Sequence, residues 1–362
     1  MNAVASRLRL ASAASREGDR SLRAAFAIAV LATALLACGV LSLGVGPAAL
    51  APGRVVAILF GGADGLAAFG GDYIIVWQIR MPRILLGGLV GAALAVAGAT
   101  MQGLFRNPLA DPGLVGVSAG AALAAVMLIV LGSGFSLVIA LGSFALPLAA
   151  FFGGLATTIT LYLIATREGR TSVATMLLAG IALSALSGSL MGLLVYISND
   201  QQLRDITFWS MGGLGGATWA KIAASGPIML AVILAAPVLG RGLNALVLGE
   251  AEAYHLGISV QRLKNLAVFL VAAATGAAVA TSGVIGFVGI VVPHLLRLVI
   301  GADHRALLPA SGLLGAILLI FADMIARTIA APAELPIGII TAAIGAPFFL
   351  WMLLRRRSII DL

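Results

Sequence analysis

Residues that could catalyse a reaction or bind a metal are few and widely spaced in this chain. The three histidines, His255, His294 and His304, lie outside any His-Glu-x-x-His arrangement, so the paired imidazoles of a zinc hydrolase are missing. The only lysines are Lys221 and Lys264, and neither follows a glycine. The chain therefore lacks the Gly-x-x-x-x-Gly-Lys-Ser/Thr loop that holds nucleotide phosphates and Mg²⁺. We predict no enzyme activity, no bound metal and no bound cofactor.

The composition is that of a membrane protein. Of the 362 residues, 61% are hydrophobic and 10% are charged, with a mean hydropathy of +1.12. A soluble domain carries about 25% charged residues, so this chain lacks the polar residues to cover a globule. The net charge of +8 comes from basic residues between apolar runs, which indicates membrane orientation and not nucleic-acid binding. The single cysteine, Cys38, excludes an intrachain disulfide.

Apolar runs bounded by charges, proline and glycine predict an all-α polytopic membrane protein with about ten transmembrane helices. The predicted spans are 24–44, 84–104, 114–132, 141–165, 174–197, 219–239, 265–282, 285–300, 307–326 and 336–354. Residues 24–354 thus form the transmembrane domain. Residues 1–23 and 355–362 are its N-terminal and C-terminal tails.

The distribution of basic residues predicts the orientation. An even number of spans puts both termini on one side of the membrane. When that side is the inside, 16 of the 22 Lys and Arg residues lie inside. Because the cytoplasmic side carries the excess of Lys and Arg, both termini are predicted to be cytoplasmic. The longest internal connection, 241–264, then also lies in the cytoplasm.

A short repeat relates the two parts of the chain. LVGAALAVAGAT (89–100) matches LVAAATGAAVAT (270–281) at an offset of 181 residues, and the same offset aligns Pro112 with Pro293. The two spans cross the membrane in opposite directions, so the repeat is inverted, with halves near 80–200 and 262–354. Inverted repeats are common in transporters, where the substrate path lies near their interface.

The polar stretch RNPLADPGLVGVSAG (106–120) interrupts two apolar runs within this repeat. Asp111 followed by Pro112 is typical of an N-cap and a first-turn proline, and predicts the start of the third span. Asn107 and Pro108 belong to the turn that precedes it. We therefore interpret the break as a turn and also as a repeat element.

The internal connection 241–264 contains two predicted short helices. GEAEAYHLG has acidic residues early and Gly257 at its end, and SVQRLKN follows it. Since a connection needs only a few residues, two ordered helices predict a docking surface. An amphipathic linker lying on the lipid surface is the alternative. We interpret His255 as a packing or contact residue and not as a metal ligand, because no second ligand lies at helical spacing from it.

Four stretches together resemble the permease subunits of the ABC importers for cobalamin, ferric siderophores and haem. They occur in the family order and span nearly the whole chain after the N-terminal tail. The stretches are RMPRILLGGLVGAALAVAGATMQGLFRNPLADPGLVGVSAGA (80–121), LGEAEAYHLGISVQRL (248–263), GFVGIVVPHLLRL (286–298) and ELPIGIITAAIGAPFF (334–349). Within the family, QLRDITFWSMGGLGGATW (202–219) is most similar to the haem importers.

The resemblance implies a homodimer of ten-helix subunits around a central translocation path, surrounded by lipid in the bacterial inner membrane. It also implies two ATP-binding cassette ATPase subunits, which bind ATP and Mg²⁺, and a periplasmic substrate-binding protein. The coupling element that contacts the ATPase is placed at Gly249, Glu250, Ala251, Glu252, Tyr254, His255, Leu256 and Gly257.

Two further sites are implied by the resemblance. Arg80, Arg83 and Arg327 would anchor carboxylates of the binding protein, which a guanidinium binds through two parallel hydrogen bonds. Alternatively, these arginines only mark the membrane boundary. TSVATMLLAG (171–180) resembles the segment that narrows the cytoplasmic end of the path. Its candidate gate residues are Val173, Ala174 and Thr175.

An ion-coupled secondary transporter is the alternative that the residues leave open. Such a protein needs buried ionisable groups as a proton relay, and Asp323, His294 and Arg297 are the candidates. Asp323 lies one helical turn before Arg327, however, and this i,i+4 pair can neutralise itself. That spacing favours a structural role for the pair.

Overall fold

The computed structural model describes residues 21–61 and 68–360. Within these ranges, seven helices are long and apolar enough to cross a membrane, and three shorter apolar helices accompany them. Each of the ten lies at one of the ten predicted spans. The prediction of an all-α polytopic membrane protein is therefore confirmed, with one small β-hairpin as the addition.

The elements of the first part of the chain lead up to this hairpin. The helices are α1 (Ser21–Gly44), α2 (Pro52–Phe60), α3 (Gly71–Leu104), α4 (Val117–Leu131), α5 (Ser136–Leu141), α6 (Ala145–Ala165) and α7 (Val173–Tyr196). The two strands of the hairpin, β1 (Thr166–Arg167) and β2 (Arg170–Thr171), pair antiparallel between α6 and α7.

All the described elements of the second part of the chain are helices. Its helices are α8 (Asp200–Ser210), α9 (Trp219–Ala235), α10 (Gly240–Leu248), α11 (Glu250–His255), α12 (Val260–Ser282), α13 (Val288–Ile300), α14 (His304–Ala326) and α15 (Ile337–Ile360). A 3₁₀ turn, Ala236–Leu239, joins α9 to α10.

The core of the molecule forms around α3, α12 and α14. In the most apolar stretch of each helix, 83% of the residues of α3 and 78% of those of α12 are buried, against 11% for α7. The large buried side chains of this core include Leu86, Leu307 and Leu308. α7 thus presents a broad apolar face that the chain itself does not cover.

Glycine pairs let the core helices cross at backbone contact. A Cβ atom on Gly98 would lie 2.1 Å from the carbonyl oxygen of Gly289, and one on Gly91 would lie 2.2 Å from that of Gly315. No larger residue fits at these positions without separating the helices. Such contacts replace the hydrophobic driving force that is missing between helices in lipid.

The ends of α3 and α15 differ from the predicted spans. The second span was predicted from residue 84, whereas α3 begins at Gly71 and includes a π-helical turn at Ile75–Arg80. Arg80, at the end of this π-helical turn, is compatible with a helix because its buried guanidinium group donates to carbonyl oxygens of the protein. α15 likewise continues to Ile360, so most of the predicted tail 355–362 is helical.

At the N-terminus, residues 21–23 belong to α1 and not to the predicted tail 1–23. Residues 1–20, 361 and 362 lie outside the described part of the chain.

The repeat is only partly visible in the structure. The matched segments 89–100 and 270–281 lie in the two most buried spans, α3 and α12. Pro112, however, opens a 3₁₀ turn, whereas Pro293 lies inside α13, so the predicted correspondence of the two prolines is wrong at the level of local structure. The connection between α12 and α13 is shorter than the connection between α3 and α4. The starts of α4 and α13 therefore do not follow the sequence offset of 181 residues. The proposed repeat halves stay a prediction.

The polar break after α3 is a turn followed by a capped 3₁₀ turn. The side chain of Asn107 accepts a hydrogen bond from the Leu109 amide at 2.9 Å, which tightens the turn around Pro108. Asp111 accepts one from the Gly113 amide at 2.7 Å and caps Pro112–Val115. The predicted cap is therefore present, but it precedes the 3₁₀ turn and α4 begins only at residue 117. Burial raises the pKa of the Asp111 carboxyl.

Candidate functional site

The short helix α11 forms an exposed surface that we call the coupling surface, residues 249–257. Its centre is apolar, since Tyr254 is 72% exposed and Leu256 is 63% exposed. Exposed apolar groups with polar neighbours are typical of an interaction site. The predicted contact residues Glu250, Ala251, Glu252, Tyr254, His255, Leu256 and Gly257 are all exposed, and Gly249 is buried.

The sequence accounts for this short helix. Gly249 has a φ of +132°, which lets the chain turn sharply between α10 and α11. Glu250 and Glu252 follow in the first turn, where acidic groups suit the helix N-terminus. The side chain of Ala253 is fully buried and holds the helix against the body of the protein. Gly257, with φ +81°, ends the element as predicted.

The rest of the predicted loop 241–264 is not a loop. Most of its first part is α10, whose buried residues include Leu243 and Leu246, and SVQRLKN forms the beginning of α12 instead of a separate short helix. Both halves pack against the core and satisfy their backbone groups within longer helices. The coupling surface lies between these two helices and is exposed, together with Val247 and Leu248 at the end of α10.

α10 is tied to the start of α14 by hydrogen bonds. The side-chain amide of Asn244 donates to Asp303 at 2.6 Å, and its oxygen accepts from the His304 backbone amide at 2.9 Å. A hydrogen bond from Arg305 holds the pKa of the Asp303 carboxyl well below its usual value. Asp303 is thus a fixed anion that orients Asn244.

The predicted gate residues begin α7, next to the β-hairpin. Val173 and Thr175 are half-buried and Ala174 is exposed. The hydroxyl of Ser172 caps the helix by accepting from the Thr175 amide at 3.2 Å, and the Thr175 hydroxyl donates to it at 2.9 Å. We call residues 173–175 the gate segment. Its first turn is held by the Ser172 cap, and its exposed side faces away from the core.

A buried lysine lies between the coupling surface and the hairpin. The Nζ atom of Lys264 is 2.7 Å from Oε1 of Glu250 and 2.8 Å from the carbonyl oxygen of Thr171. The lysine is 4% exposed. Sequence reasoning missed this contact, because Lys264 is distant along the chain from Thr171 and no spacing rule relates the three residues.

The three predicted docking arginines meet at the opposite end of the molecule, where they are buried. Arg83 donates to both oxygens of Asp323, at 2.8 and 3.0 Å, and to both oxygens of Glu334, at 2.8 and 2.9 Å. Arg327 donates to the carbonyl oxygen of Ser42 at 2.7 Å and to its hydroxyl, and lies 3.8 Å from Asp323.

Arg80 completes this cluster by donating to the carbonyl oxygens of Leu43 and Ala48. Arg80, Arg83 and Arg327 are 4%, 5% and 3% exposed, which differs from the solvent-facing position expected of docking anchors. The cause is the outward extension of α3, which places Arg80 and Arg83 within a helix and not before one. To contact another protein, these groups would have to leave their present partners.

A cavity of about 420 Å³ adjoins this arginine cluster. Arg83, Lys221 and Glu334 line it together with Trp209 and Pro147. Charged and aromatic groups together line this recess, at the end of the molecule opposite the coupling surface. The two candidate sites thus lie at opposite ends of the spans.

Comparison with known proteins agrees with this architecture. The FecCD transport family model matches residues 34–355. The chain is 50% identical over 284 residues to the hemin transport system permease protein of Yersinia pestis, covering 78% of this chain and 84% of that protein. It is 47% identical over 286 residues to the cobalamin import system permease protein of Halobacterium salinarum, covering 78% and 74%.

A solved structure shares both fold and sequence with the chain. It is described as an inward-facing conformation of a putative metal-chelate type ABC transporter, with a TM-score of 0.79, 34% identity, and coverage of 91% of this chain and 98% of that one. The resemblance to ABC importer permeases that the motifs indicated is thereby confirmed. With its matched residues running through all ten spans, this chain belongs to the FecCD transport family.

Proposed function

We propose that the chain is the membrane-spanning subunit of an ATP-driven haem importer of the bacterial inner membrane, working with a substrate-binding protein by alternating access. The coupling surface carries this proposal. It exposes Tyr254 and Leu256 at one end of the spans, on a short helix that the core supports. The chain contains no phosphate-binding loop, so an ATPase that docks there supplies the energy.

The chemistry of the coupling surface suits an ATPase subunit. Its apolar centre provides the anchoring contacts of an interface, and Glu250 and Glu252 provide a charged rim. Movement of the docked subunits on ATP binding would displace α11 in both copies. That displacement would change access to the central path.

A second copy of the chain would cover the apolar face of α7. The exposed side chains on this helix include Leu178, Ile181, Leu186 and Leu193. Pairing two such faces would place the gate segments at the inner end of a path between the subunits. Both termini would lie in the cytoplasm, on the side of the coupling surface.

Haem is the proposed substrate. The relative with 50% identity is named as a hemin permease, and the 202–219 stretch resembles haem importers. Cobalamin is the second candidate, because relatives named as cobalamin or vitamin B12 permeases are 47% and 45% identical. Spectral titration of the cognate binding protein with haemin, cobalamin and a ferric siderophore tests the choice. Saturable binding of haemin alone is expected, and selective binding of cobalamin would reverse the assignment.

The buried ionisable groups favour this proposal over an ion-coupled secondary transporter. Asp323 receives two hydrogen bonds from Arg83 and has Arg327 at 3.8 Å. A carboxylate held between two guanidinium groups is suited to joining helices and poorly suited to releasing and taking up a proton.

The docking proposal is tested with a double variant, Tyr254→Ala with Leu256→Ala. Removing two exposed apolar anchors is expected to weaken binding of the ATPase subunit at least about tenfold, since such anchors dominate interfaces. Leu137→Ala is the matched control, because Leu137 is 68% exposed on α5, away from the coupling surface. Equal affinity of the double variant and the control for the ATPase would refute docking through this surface.

A further inference from the structure

We propose that Lys264 is a positioning residue that transmits movement of the coupling surface to the gate segment at the start of α7. This inference rests on the proposed function, and it adds a residue-level route through the chain. The route runs from Glu250 through Lys264 to Thr171, and from there along the backbone to Ser172 and Val173.

The contact on the α11 side is an ion pair. Oε1 of Glu250 lies 2.7 Å from Nζ of Lys264, and the glutamate side chain is 48% exposed at the first turn of α11. The lysine side chain is only 5% exposed. A buried ammonium group that loses its carboxylate is left uncompensated, so the lysine is expected to follow Glu250 when α11 moves.

The contact on the hairpin side is made at one residue, Thr171, which is buried. Its carbonyl oxygen accepts from Lys264 at 2.8 Å. Its amide donates to Gln261 at 2.9 Å, and its hydroxyl accepts from the Gln261 amide group at 2.6 Å. Every polar group of Thr171 thus meets the first two turns of α12, so β2 must move with that end of the helix.

Thr171 directly precedes the gate segment along the chain. The next residue, Ser172, caps α7, and its amide donates to the Ala165 carbonyl oxygen at 3.0 Å. The strand pairing of Thr166 with Thr171 also ties the end of α6 to this point. A displacement of Thr171 therefore reorients the first turn of α7, where Val173 and Ala174 lie.

A second route leaves the coupling region but leads elsewhere. Asn244 on α10 bonds to Asp303 and to the backbone of His304, at the start of α14. α14 belongs to the buried core and not to the gate segment. Asn244 therefore serves as a control for a merely structural effect at the same end of the molecule.

The test measures gate accessibility in the complex of the full chain with its ATPase. In a Cys38→Ser background, Ala174→Cys places one thiol at the exposed gate position, and its labelling rate is measured without nucleotide and with ATP plus vanadate. Nucleotide is expected to change the rate at least about fivefold, the lower end of typical coupling between sites. Lys264→Met is expected to reduce this change to below about twofold while the ATPase stays bound.

Two further variants separate transmission from damage to the fold. Glu250→Gln breaks the ion pair at a half-exposed site and is expected to reduce the nucleotide response in the same direction. Asn244→Ala is expected to keep the full response. A full response in both Lys264→Met and Glu250→Gln, with the ATPase bound, would overturn the route through Lys264. If the chain with native Lys264 neither binds the ATPase nor responds to nucleotide, the proposed function itself fails, and the inference with it.

Discussion

Removal of the guanidinium group of Arg83 is expected to destabilise the protein strongly. Arg83 is 5% exposed and joins α3 to Asp323 on α14 and to Glu334 before α15. The substitution Arg83→Met keeps much of the side-chain length and removes the charge. Asp323, 2% exposed, is then left with only Arg327, whose Nε is 3.8 Å away.

The size of the expected stability loss follows from the burial of Asp323. Breaking a buried ion pair by removing one partner costs about 3–5 kcal/mol, because the other charge stays buried without compensation. The half-exposed Glu334 adds about 1 kcal/mol at most. Since Arg327 retains part of the compensation, we expect Arg83→Met to lower the free energy of unfolding by about 3 kcal/mol.

A surface pair of the same chemistry provides the control. Arg54 and Asp72 lie 3.0 Å apart, with side chains 46% and 34% exposed. Arg54→Met is expected to cost about 0–1 kcal/mol, as exposed pairs do. Both variants are measured by reversible unfolding in mixed micelles with increasing SDS.

A double-mutant cycle completes this prediction. In an Asp323→Asn background, Arg83→Met should cost at least about 1 kcal/mol less than it does alone, because no buried carboxylate is left unpaired. Equal costs for Arg83→Met and Arg54→Met, or additive costs in the cycle, would refute the reasoning that burial makes this ion pair essential.

Three other predictions concern packing, capping and orientation. Gly98→Ala should lower the free energy of unfolding by about 1–3 kcal/mol, because the added Cβ forces α3 away from α13. Gly188→Ala should not destabilise the protein, because a Cβ there meets nothing within 4 Å, and SDS unfolding of both variants measures the difference. Asp111→Asn should keep the cap and change the free energy of unfolding little, whereas Asp111→Ala should lower it by about 0.5–2 kcal/mol. A larger loss of stability in Asp111→Asn than in Asp111→Ala would contradict the capping role. Ala251→Cys with Cys38→Ser should react with an impermeant thiol reagent in right-side-out vesicles only after permeabilisation; labelling of intact vesicles would reverse the orientation.

The sequence was sufficient to predict the ten long or apolar helices, although not the short helices α2 and α8. Each apolar run is long enough to need a helix in lipid, where every backbone group must be satisfied internally. The short helix α11 was also predictable, because Glu250 and Glu252 suit its first turn and Gly257 marks its end. These features depend on residues close together along the chain.

The contacts that join distant residues were not predictable from the sequence. Asp323 has Arg327 at helical spacing, yet its closest partner is Arg83, which lies 240 residues away along the chain. Lys264 likewise meets Thr171 across 93 residues. No local pattern records such pairs, because helix packing brings them together only after the spans assemble.

The arginine cluster shows how burial alters a residue's expected role. A positive residue at the end of an apolar run usually reaches water, and Arg80 and Arg83 were expected to do so. In the structure, carbonyl and carboxylate oxygens receive their guanidinium groups inside the chain. Charge reversal there would therefore disturb the fold before it could report on docking of a binding protein.

In the proposed function, ATP drives import through this chain. Its most direct test is haemin uptake into proteoliposomes that contain the chain with its ATPase subunit and receive the haemin-loaded binding protein. ATP is supplied on the side of the ATPase, and a protonophore dissipates the proton gradient. Uptake that requires ATP and persists with the protonophore is predicted. Uptake that proceeds without ATP and stops when the gradient is dissipated would contradict the account.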